Sequence, residues 1–309
     1  MLAALDWSWY NLEVFVIYRG GYFMHPYLFF IGNFPIRAYG LILMSAILLA
    51  ILVAYFFARQ DGRWHHHILD FGLYCGFAGI IGARLWDVFF FDWHYYKDHL
   101  LEIPFVWQGG MAIQGGVVAG ILVGYWYTKR HHIDTWAFAD IVAAPALIIG
   151  QAIGRMANVM NGDAFGHPTG GDFGILYKAD SLARRVYGDQ PLWPAEIWES
   201  QLDIVIFVLL LGMRTLNHAK GQVFALYVML YSLLRFFLEF LRGDYVDLTI
   251  GLKSAQLSSL FFFMIALSCF LWVGYKENKL PFGPWSISDE ITPEFSAPKK
   301  KKKSNESTI

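Results

Sequence analysis

The stretch DIVAAPALIIGQAIGRMANVMNGDAFG, residues 140–166, decides the fold of this chain. Its first half is apolar enough to lie in lipid, and its second half carries a dense group of polar residues. Arg155, Asn158 and Asn161 are spaced by three, so they share one face if the helix continues through them, and Gly162 would then end it. An ionisable residue on such a helix predicts a functional site inside the membrane.

The composition of the whole chain indicates the same environment. Of its 309 residues, 56% are hydrophobic and only 16% are charged, whereas soluble domains carry about 25% charged residues. One soluble core cannot bury that much apolar surface, so we expect a polytopic membrane protein. The two cysteines, Cys75 and Cys269, lie in apolar runs and show no metal-ligand spacing.

Apolar stretches long enough to cross about 30 Å of hydrocarbon recur along the chain. They cover residues 36–58, 69–91, 110–128, 134–153, 198–214, 221–241 and 255–275. We therefore predict an all-α polytopic membrane protein with seven transmembrane helices, forming one catalytic domain over residues 1–283. The polar segment 156–197 predicts a small extracytoplasmic head, and 242–253 a shorter arm. Residues 284–309 are expected to form a disordered, lysine-rich cytoplasmic tail.

The distribution of basic residues predicts the orientation of the chain. One set of connecting segments holds most of the lysines and arginines outside the spans, including Lys299–Lys303, and the opposite set holds few. The positive-inside rule then places the C-terminus in the cytoplasm and the N-terminus outside. The N-terminal region lacks the pattern of a cleavable signal peptide, and YRGGYFMHPYLFF (18–30) is typical of an interfacial segment.

The sixth predicted span carries polar residues on one helical face. In YSLLRFFLEFLR (231–242), Tyr231, Arg235, Glu239 and Arg242 stand at offsets 0, 4, 8 and 11. An ionisable residue costs at least about 2.5 kcal/mol at the bilayer centre, so these groups should face a cavity and pair with one another. A purely structural ion pair between Arg235 and Glu239 is the alternative interpretation.

Two further arginines lie in or at the ends of apolar runs, Arg84 in GARLWDVFF and Arg155 in the stretch 140–166. With Arg235 and Arg242 they make four membrane-embedded arginines accompanied by only one or two acids, which predicts an anion site. Arginine suits phosphate because its planar fork donates two hydrogen bonds and stays charged in a low dielectric. In a membrane protein, the simplest such anion is a phospholipid headgroup.

These motifs resemble those of the prolipoprotein diacylglyceryl transferase family. GQAIGRMANVMNGDAFG (150–166) is similar to the family signature, which runs glycine, arginine, asparagine, asparagine and an acid at matching spacings. Similar family segments are IRAYG (36–40), GARL (82–85), WQGGMAIQGG (107–116) and YSLLRFFLEFLR (231–242). WPAEIWES (193–200) stands where many members have histidine–proline–x–glutamine–x–tyrosine–glutamate. Order and spacing agree over about residues 27–275.

The resemblance implies an enzyme of the bacterial cytoplasmic (inner) membrane. Such an enzyme transfers the diacylglyceryl group of phosphatidylglycerol to the lipobox cysteine of a prolipoprotein signal peptide. It forms a thioether, releases glycerol phosphate and needs no metal, nucleotide or other cofactor. We expect a monomer without a nucleic-acid partner. The alternative is a non-catalytic paralogue of the same fold that binds or transports phospholipid.

The resemblance also implies roles for individual residues. Arg155 and Asn158 hold the lipid headgroup with Gly166 near it, and Arg235 stabilises the leaving phosphate or the thiolate. The expected catalytic residues are Arg155, Arg235, Glu239, Tyr231 and Gln114. The expected phosphatidylglycerol-binding residues are Arg155, Asn158, Asn161, Gly166, Tyr39, Arg84 and Arg242. In this assignment Tyr39 and Tyr231 orient the reacting groups, and Glu239 and Arg242 hold them in position.

Several positions depart from the family pattern. Gln114 stands where many members have a histidine that is a candidate base, and glutamine takes no proton at physiological pH. Trp193, Glu196 and Trp198 differ from the usual residues of their motif, and the signature ends DAFG (163–166) rather than with glutamate and tryptophan.

Without that histidine, a different route for the thiol proton is needed. We expect the arginines to lower the pKa of the substrate thiol, because neighbouring cations favour the thiolate. The proton then leaves through Tyr39, Tyr231 or water, with Glu239 as the carboxylate relay. Gln114 keeps a hydrogen-bonding role.

Overall fold

A computed structural model of the chain describes residues 27–31, 34–106, 109–243 and 252–287. Its α-helices are α1 (Ala38–Gln60), α2 (Ile68–Trp86), α3 (Trp93–Tyr96), α4 (Ile113–Arg130), α5 (Thr135–Phe138), α6 (Ala144–Asn161), α7 (Leu182–Tyr187), α8 (Ala195–Thr215), α9 (Gln222–Leu238) and α10 (Ser254–Glu277). A π-helical turn, Asp87–Phe91, extends α2, and a second, Ala139–Ala143, joins α5 to α6. Six of the predicted spans largely overlap one long helix each, namely α1, α2, α4, α8, α9 and α10. The fourth predicted span, 134–153, instead covers α5, the π-helical turn and the first half of α6.

Helices of a membrane protein expose apolar side chains to lipid, and this chain does so. Four helical segments are long and apolar enough to cross a membrane: Ala38–Gln60, His65–Phe91, Thr135–Asn161 and Ser254–Glu277. Leu52, Phe77 and Phe261 on three of them are each more than 60% exposed, as expected where lipid rather than protein covers a helix face. The prediction of a helical membrane protein is confirmed at this level.

A β-hairpin precedes the first long helix, and the all-α prediction missed it. Strand β1 (Tyr27–Ile31) pairs antiparallel with β2 (Phe34–Arg37), and α1 follows directly. The strand sequences are rich in aromatic and β-branched residues, which favour strands. The dipeptide Gly32–Asn33 between them is a known hairpin signal, so the sequence did contain the information. Most of the predicted interfacial segment, residues 18–26, lies outside the described residues.

The long helices pack as an open row. Helix α4 packs on α2, α1 on α6, α6 on α8, α8 on α9, and α9 on α10. Gly82 and Gly115 bring α2 and α4 into backbone contact, since a side chain on either would overlap the carbonyl of the other. In the described part of the chain, α10 packs extensively on α9 but makes no comparable contact with α1, α2 or α4. The row therefore does not close on itself.

The start of α9 contacts the segment around α5 at one end of this row. Asp140 caps the start of α9 by accepting hydrogen bonds from the backbone N–H groups of Gly221 (2.6 Å) and Phe224 (2.7 Å). The Lys220 ammonium lies 2.7 Å from Asp134, and this hydrogen bond lowers the pKa of the Asp134 carboxyl. Residues 284–287, which are part of the predicted tail, also lie here, with Ile287 paired to Leu216. Residues 288–309 lie outside the described part.

The segment between α6 and α8 folds over the opposite end of the row. It has a small core of its own, made of Val159, Phe165, Tyr177, Ala183 and Leu192. The stretch around Phe165 also pairs with the chain beyond α9, through His167 N–H to the Leu241 carbonyl (2.8 Å) and Gly243 N–H to the Phe165 carbonyl (3.0 Å). Helix α6 continues to Asn161, so this segment begins six residues later than the predicted head. Of the predicted arm, residues 244–251 lie outside the described residues.

Candidate functional site

The signature stretch forms the last turns of α6 and the turn that follows. The helix ends at Gly162, whose φ of 71° lies in the left-handed region, as the sequence predicts. The amide groups of Asn158 and Asn161 donate to the two carboxylate oxygens of Asp163, over 2.9 and 3.0 Å. Asn158 and Asn161 therefore share a face, as predicted. In this structure, however, the asparagines hold the carboxylate of Asp163.

Arg155 points from α6 towards α8 and α9. Its Nη2 lies 2.8 Å from Glu199 Oε1 and donates to the Tyr231 hydroxyl oxygen over 3.3 Å. The Tyr231 hydroxyl in turn donates to Glu199 Oε1 over 3.2 Å. Three helices thus contribute one polar side chain each to a closed triangle of contacts.

Arg235 on α9 extends this group. Its Nη2 lies 2.6 Å from Glu239 Oε2, which confirms the ion pair expected from the spacing of four residues. Its Nη1 lies 3.7 Å from Glu199 Oε2. This Nη1 is buried and has no hydrogen-bond partner among the described residues. Arg242 Nη1 approaches Glu199 Oε2 to 4.0 Å, so Glu199 lies between three arginines.

The site holds more acids than the one or two that the sequence predicts. Glu199, Asp203 and Glu239 are all at most 1% exposed. Asp203 lies one helical turn beyond Glu199, and neither of its carboxylate oxygens has a hydrogen-bond partner in the described part of the chain. Asp203 lies within electrostatic reach of Arg155. The predicted anion site is therefore a network of ion pairs.

A signal for these acids was present in the sequence. Glu196, Glu199 and Asp203 stand at offsets 0, 3 and 7, the same one-face spacing that identified the polar residues of the sixth span. Glu196 is also buried and accepts a hydrogen bond from the Tyr177 hydroxyl. This contact ties the small core of the 162–194 segment to the first turn of α8.

Arg84 does not join the cluster. Its guanidinium donates to the backbone carbonyls of Glu102 (3.0 Å), Ile103 (2.8 Å), Gly109 (2.6 Å) and Gly110 (3.0 Å). These bonds use four of the five N–H donors that arginine has, and the residue is only 3% exposed. In this structure Arg84 holds the connection between α2 and α4, and its binding of the headgroup stays a prediction.

The remaining predicted residues occupy different surroundings. Tyr39, in the first turn of α1, lies within electrostatic reach of Arg155 and Asp163. Gly166 is close-packed, because an added Cβ would lie 2.6 Å from Trp193 Cβ, and its backbone forms a bridge with Arg242. Gln114 is exposed in the first turn of α4 and makes no hydrogen bond within the described residues.

The cluster can bind an anion by exchange. Arg155 and Arg235 have their charges balanced by side-chain carboxylates in a poorly hydrated place, where opposite charges interact strongly. A phosphate oxygen offers a guanidinium the same acceptor geometry as a carboxylate oxygen. A phosphodiester can therefore replace Glu199 on Arg155 without leaving the arginine unpaired, which would be costly.

Comparison with known proteins shows which family this chain resembles. The sequence model of the family described as prolipoprotein diacylglyceryl transferase matches residues 26–272. A protein of Geobacillus kaustophilus named phosphatidylglycerol–prolipoprotein diacylglyceryl transferase is 37% identical over 245 residues, covering 79% of this chain and 89% of that protein. A protein of the same name from Staphylococcus epidermidis is 36% identical over 259 residues, covering 83% and 91%.

A third protein of that name, from Staphylococcus saprophyticus, is 34% identical over 248 residues and is covered over 88% of its length. The matched region contains all the helices that build the arginine–carboxylate cluster and most of α10. Family match and relatives lead to one assignment: the chain belongs to the prolipoprotein diacylglyceryl transferase family.

Proposed function

We propose that this chain transfers the diacylglyceryl group of phosphatidylglycerol to the thiol of a cysteine in a prolipoprotein signal peptide. The thiolate sulfur attacks the glyceryl carbon that carries the phosphate, and a C–S bond forms. The C–O bond to the phosphate breaks, and glycerol phosphate leaves with the electron pair. The products are a thioether-linked lipid on the peptide and glycerol phosphate, and no redox partner is required.

The arginines supply the electrostatic part of this reaction. Arg155 binds the phosphate in place of the Glu199 carboxylate, which lies 2.8 Å from Arg155 Nη2 in this structure. The Nη1 atom of Arg235 is buried without a hydrogen-bond partner among the described residues, so it is available to the charge that develops on the leaving oxygen. Preorganised donors of this kind contribute most when charge appears in the transition state.

The thiol proton is carried by the tyrosine and carboxylates of the cluster. Nearby arginines favour the thiolate form of the substrate. Tyr231 already donates to Glu199 over 3.2 Å, which supports a route from the thiol through the hydroxyl to that carboxylate. Glu199 is the better acceptor than the expected Glu239, because the Tyr231 hydroxyl donates a hydrogen bond directly to Glu199.

The topology proposed for this function has seven spans in the bacterial inner membrane. Four segments are long and apolar enough on their own to cross a membrane. We add helices α4, α8 and α9 to these four, which makes seven spans. The basic ends of α1, α4, α8 and α10 support a cytoplasmic C-terminus and an N-terminus outside. The 162–194 segment then lies outside as a small head. The enzyme works as a monomer without a metal or other cofactor.

The two lipid-bound substrates reach the cluster from the side. In the described part of the chain, the α2–α4 pair makes no comparable contact with the α9–α10 pair, which supports an entry from the bilayer in which the acyl chains remain in lipid while the headgroup moves to Arg155. Keeping the chains in lipid avoids exposing their methylene groups to water, each worth about 0.8 kcal/mol.

The observation that carries this proposal is the burial of Glu199 between Arg155, Arg235 and Arg242. The test uses purified protein in phosphatidylglycerol vesicles with a lipobox peptide, and the peptide mass is measured before and after incubation. We expect the mass of one diacylglyceryl group to be added to the cysteine peptide and not to a matched serine peptide. Lipid binding without any mass change would instead support a non-catalytic phospholipid-binding paralogue.

A further inference from the structure

Lys253 is a buried cation next to the cluster that the reaction scheme above does not use. It immediately precedes α10, its side chain is only 7% exposed, and its backbone N–H donates to Gln256 Oε1 over 2.9 Å. Its ammonium donates to the carbonyl of Glu239 over 3.0 Å and to the carbonyl of Arg242. Nζ also lies 3.9 Å from Glu239 Oε1.

Glu239 therefore has a cation on each side. Arg235 Nη2 contacts Oε2 at 2.6 Å, and Lys253 Nζ faces Oε1. Without Lys253, the full negative charge of Glu239 would act on Arg235 alone. Arg235 would then attract a second anion less strongly, because the nearby Glu239 would offset its positive charge. Such interactions between opposite charges a few ångströms apart are strong in a low dielectric.

We propose that Lys253 is a positioning residue that offsets the charge of Glu239 and so keeps Arg235 Nη1 available to the substrate phosphate. The inference rests on the proposed function, since it assigns Arg235 the phosphate. Lys253 acts through Glu239 and Arg235 and does not touch the reacting atoms. Its contacts with the carbonyls of Glu239 and Arg242 fix the ammonium in place for this task.

A purely mechanical role is the competing explanation. The carbonyls of Glu239 and Arg242 follow the end of α9, where carbonyl groups lack helical partners and attract cations. Lys253 would then only join the end of α9 to the start of α10. In that case the effect of removing Lys253 would not depend on the charge of Glu239. Lys253→Arg would then be active only as far as the arginine side chain fits the two carbonyls.

The test is a double-mutant cycle between Lys253→Met and Glu239→Gln, with Lys253→Arg as the conservative variant. The transfer rate, the KM for phosphatidylglycerol and vesicle binding are measured on folded protein of each form. We expect Lys253→Met alone to lower the transfer rate about tenfold. In the Glu239→Gln background the same change should lower the rate less than about twofold, because the effects of coupled residues are not additive. Lys253→Arg should retain most activity.

Lys279→Met is the matched control. Lys279 is also partly buried and contacts Asn217, but it follows the opposite end of α10, so its loss should leave transfer unchanged. Equal effects of Lys253→Met with and without Glu239→Gln would overturn the inference in favour of the mechanical role. If the parent protein performs no transfer, the proposed function fails on its own, and the same cycle measured on phosphatidylglycerol binding still decides the role of Lys253.

Discussion

Arg84 and Arg155 are both arginines in membrane helices, and the structure treats them differently. Arg84 is surrounded by four backbone carbonyls of one connecting segment. Arg155 is held by one carboxylate and one hydroxyl from two neighbouring helices. Backbone carbonyls are fixed dipoles that have few other partners, whereas a side-chain carboxylate can rotate away. Only the second arrangement lets an incoming anion take over the arginine.

This difference distinguishes the surroundings of the arginines where burial alone does not. Arg84 is 3% exposed and Arg242 is 4% exposed, yet only Arg242 lies near the cluster carboxylate Glu199. The charge that balances an arginine therefore says more about its role than its depth. The variants below test this distinction, beginning with the largest expected effect on transfer.

Arg235→Ala should reduce transfer by about 10²- to 10³-fold, the usual loss when a preorganised charged donor is removed from a transition state. Arg235→Lys should restore little, because an ammonium does not reproduce a planar fork. Rates are measured with the vesicle assay at equal amounts of folded protein. Near-normal turnover of Arg235→Ala would contradict the assignment of this arginine to the leaving phosphate.

Arg155→Ala should weaken phosphatidylglycerol binding by about tenfold or more, as expected for loss of a charged hydrogen bond. Asn158→Ala should have a smaller effect, because Asn158 holds Asp163 in this structure. Binding is measured by equilibrium sedimentation with vesicles, using zwitterionic vesicles as the control. Unchanged affinity of Arg155→Ala would place the headgroup site elsewhere.

Arg84→Met should act on stability rather than on binding. It leaves four carbonyl groups without their donor, and a loss of about 2 kcal/mol or more is expected from buried unpaired acceptors. Thermal unfolding in detergent measures the loss, and vesicle binding at low temperature checks the remaining folded protein. A variant of normal stability that binds phosphatidylglycerol poorly would remove the contrast between the two arginines.

Gln114 gives the smallest expected change. Gln114→His should alter the transfer rate by only a few-fold, whereas addition of a required general base would raise it about 10² or more. Gln114→Leu should cost more than Gln114→His, since it removes a polar group that can hydrogen-bond to substrate. Rate against pH for the parent and both variants checks this. A silent parent with a strongly active Gln114→His form would show that the chain lacks its base.

The sequence was informative where local spacing carries the structure. The end of α6 at Gly162, the shared face of Asn158 and Asn161, and the pairing of Arg235 with Glu239 all follow from helical periodicity within a few residues. The hairpin before α1 is an exception. Gly32–Asn33 is a hairpin signal, but the aromatic residues 27–30 are equally typical of an interfacial segment.

The sequence was less informative where distant elements meet. The partners of Arg84 come from a connection 18 to 26 residues away, and nothing in GARL distinguishes it from an arginine facing a ligand. The contact of Arg155 with Glu199 joins residues of two helices whose relative rotation is set by packing. Lys253 lies next to Glu239 only because α10 packs on α9.

The open row of helices has a consequence for how the enzyme senses its lipid. A substrate that arrives sideways from the bilayer is encountered by diffusion in two dimensions. Saturation of the transfer rate should therefore depend on the mole fraction of phosphatidylglycerol in the surrounding bilayer and not on its bulk concentration. Adding inert detergent or neutral lipid at constant total phosphatidylglycerol should slow transfer by dilution within the surface. A cell that lowers this lipid in its membrane would slow lipoprotein maturation even when its total lipid supply is unchanged.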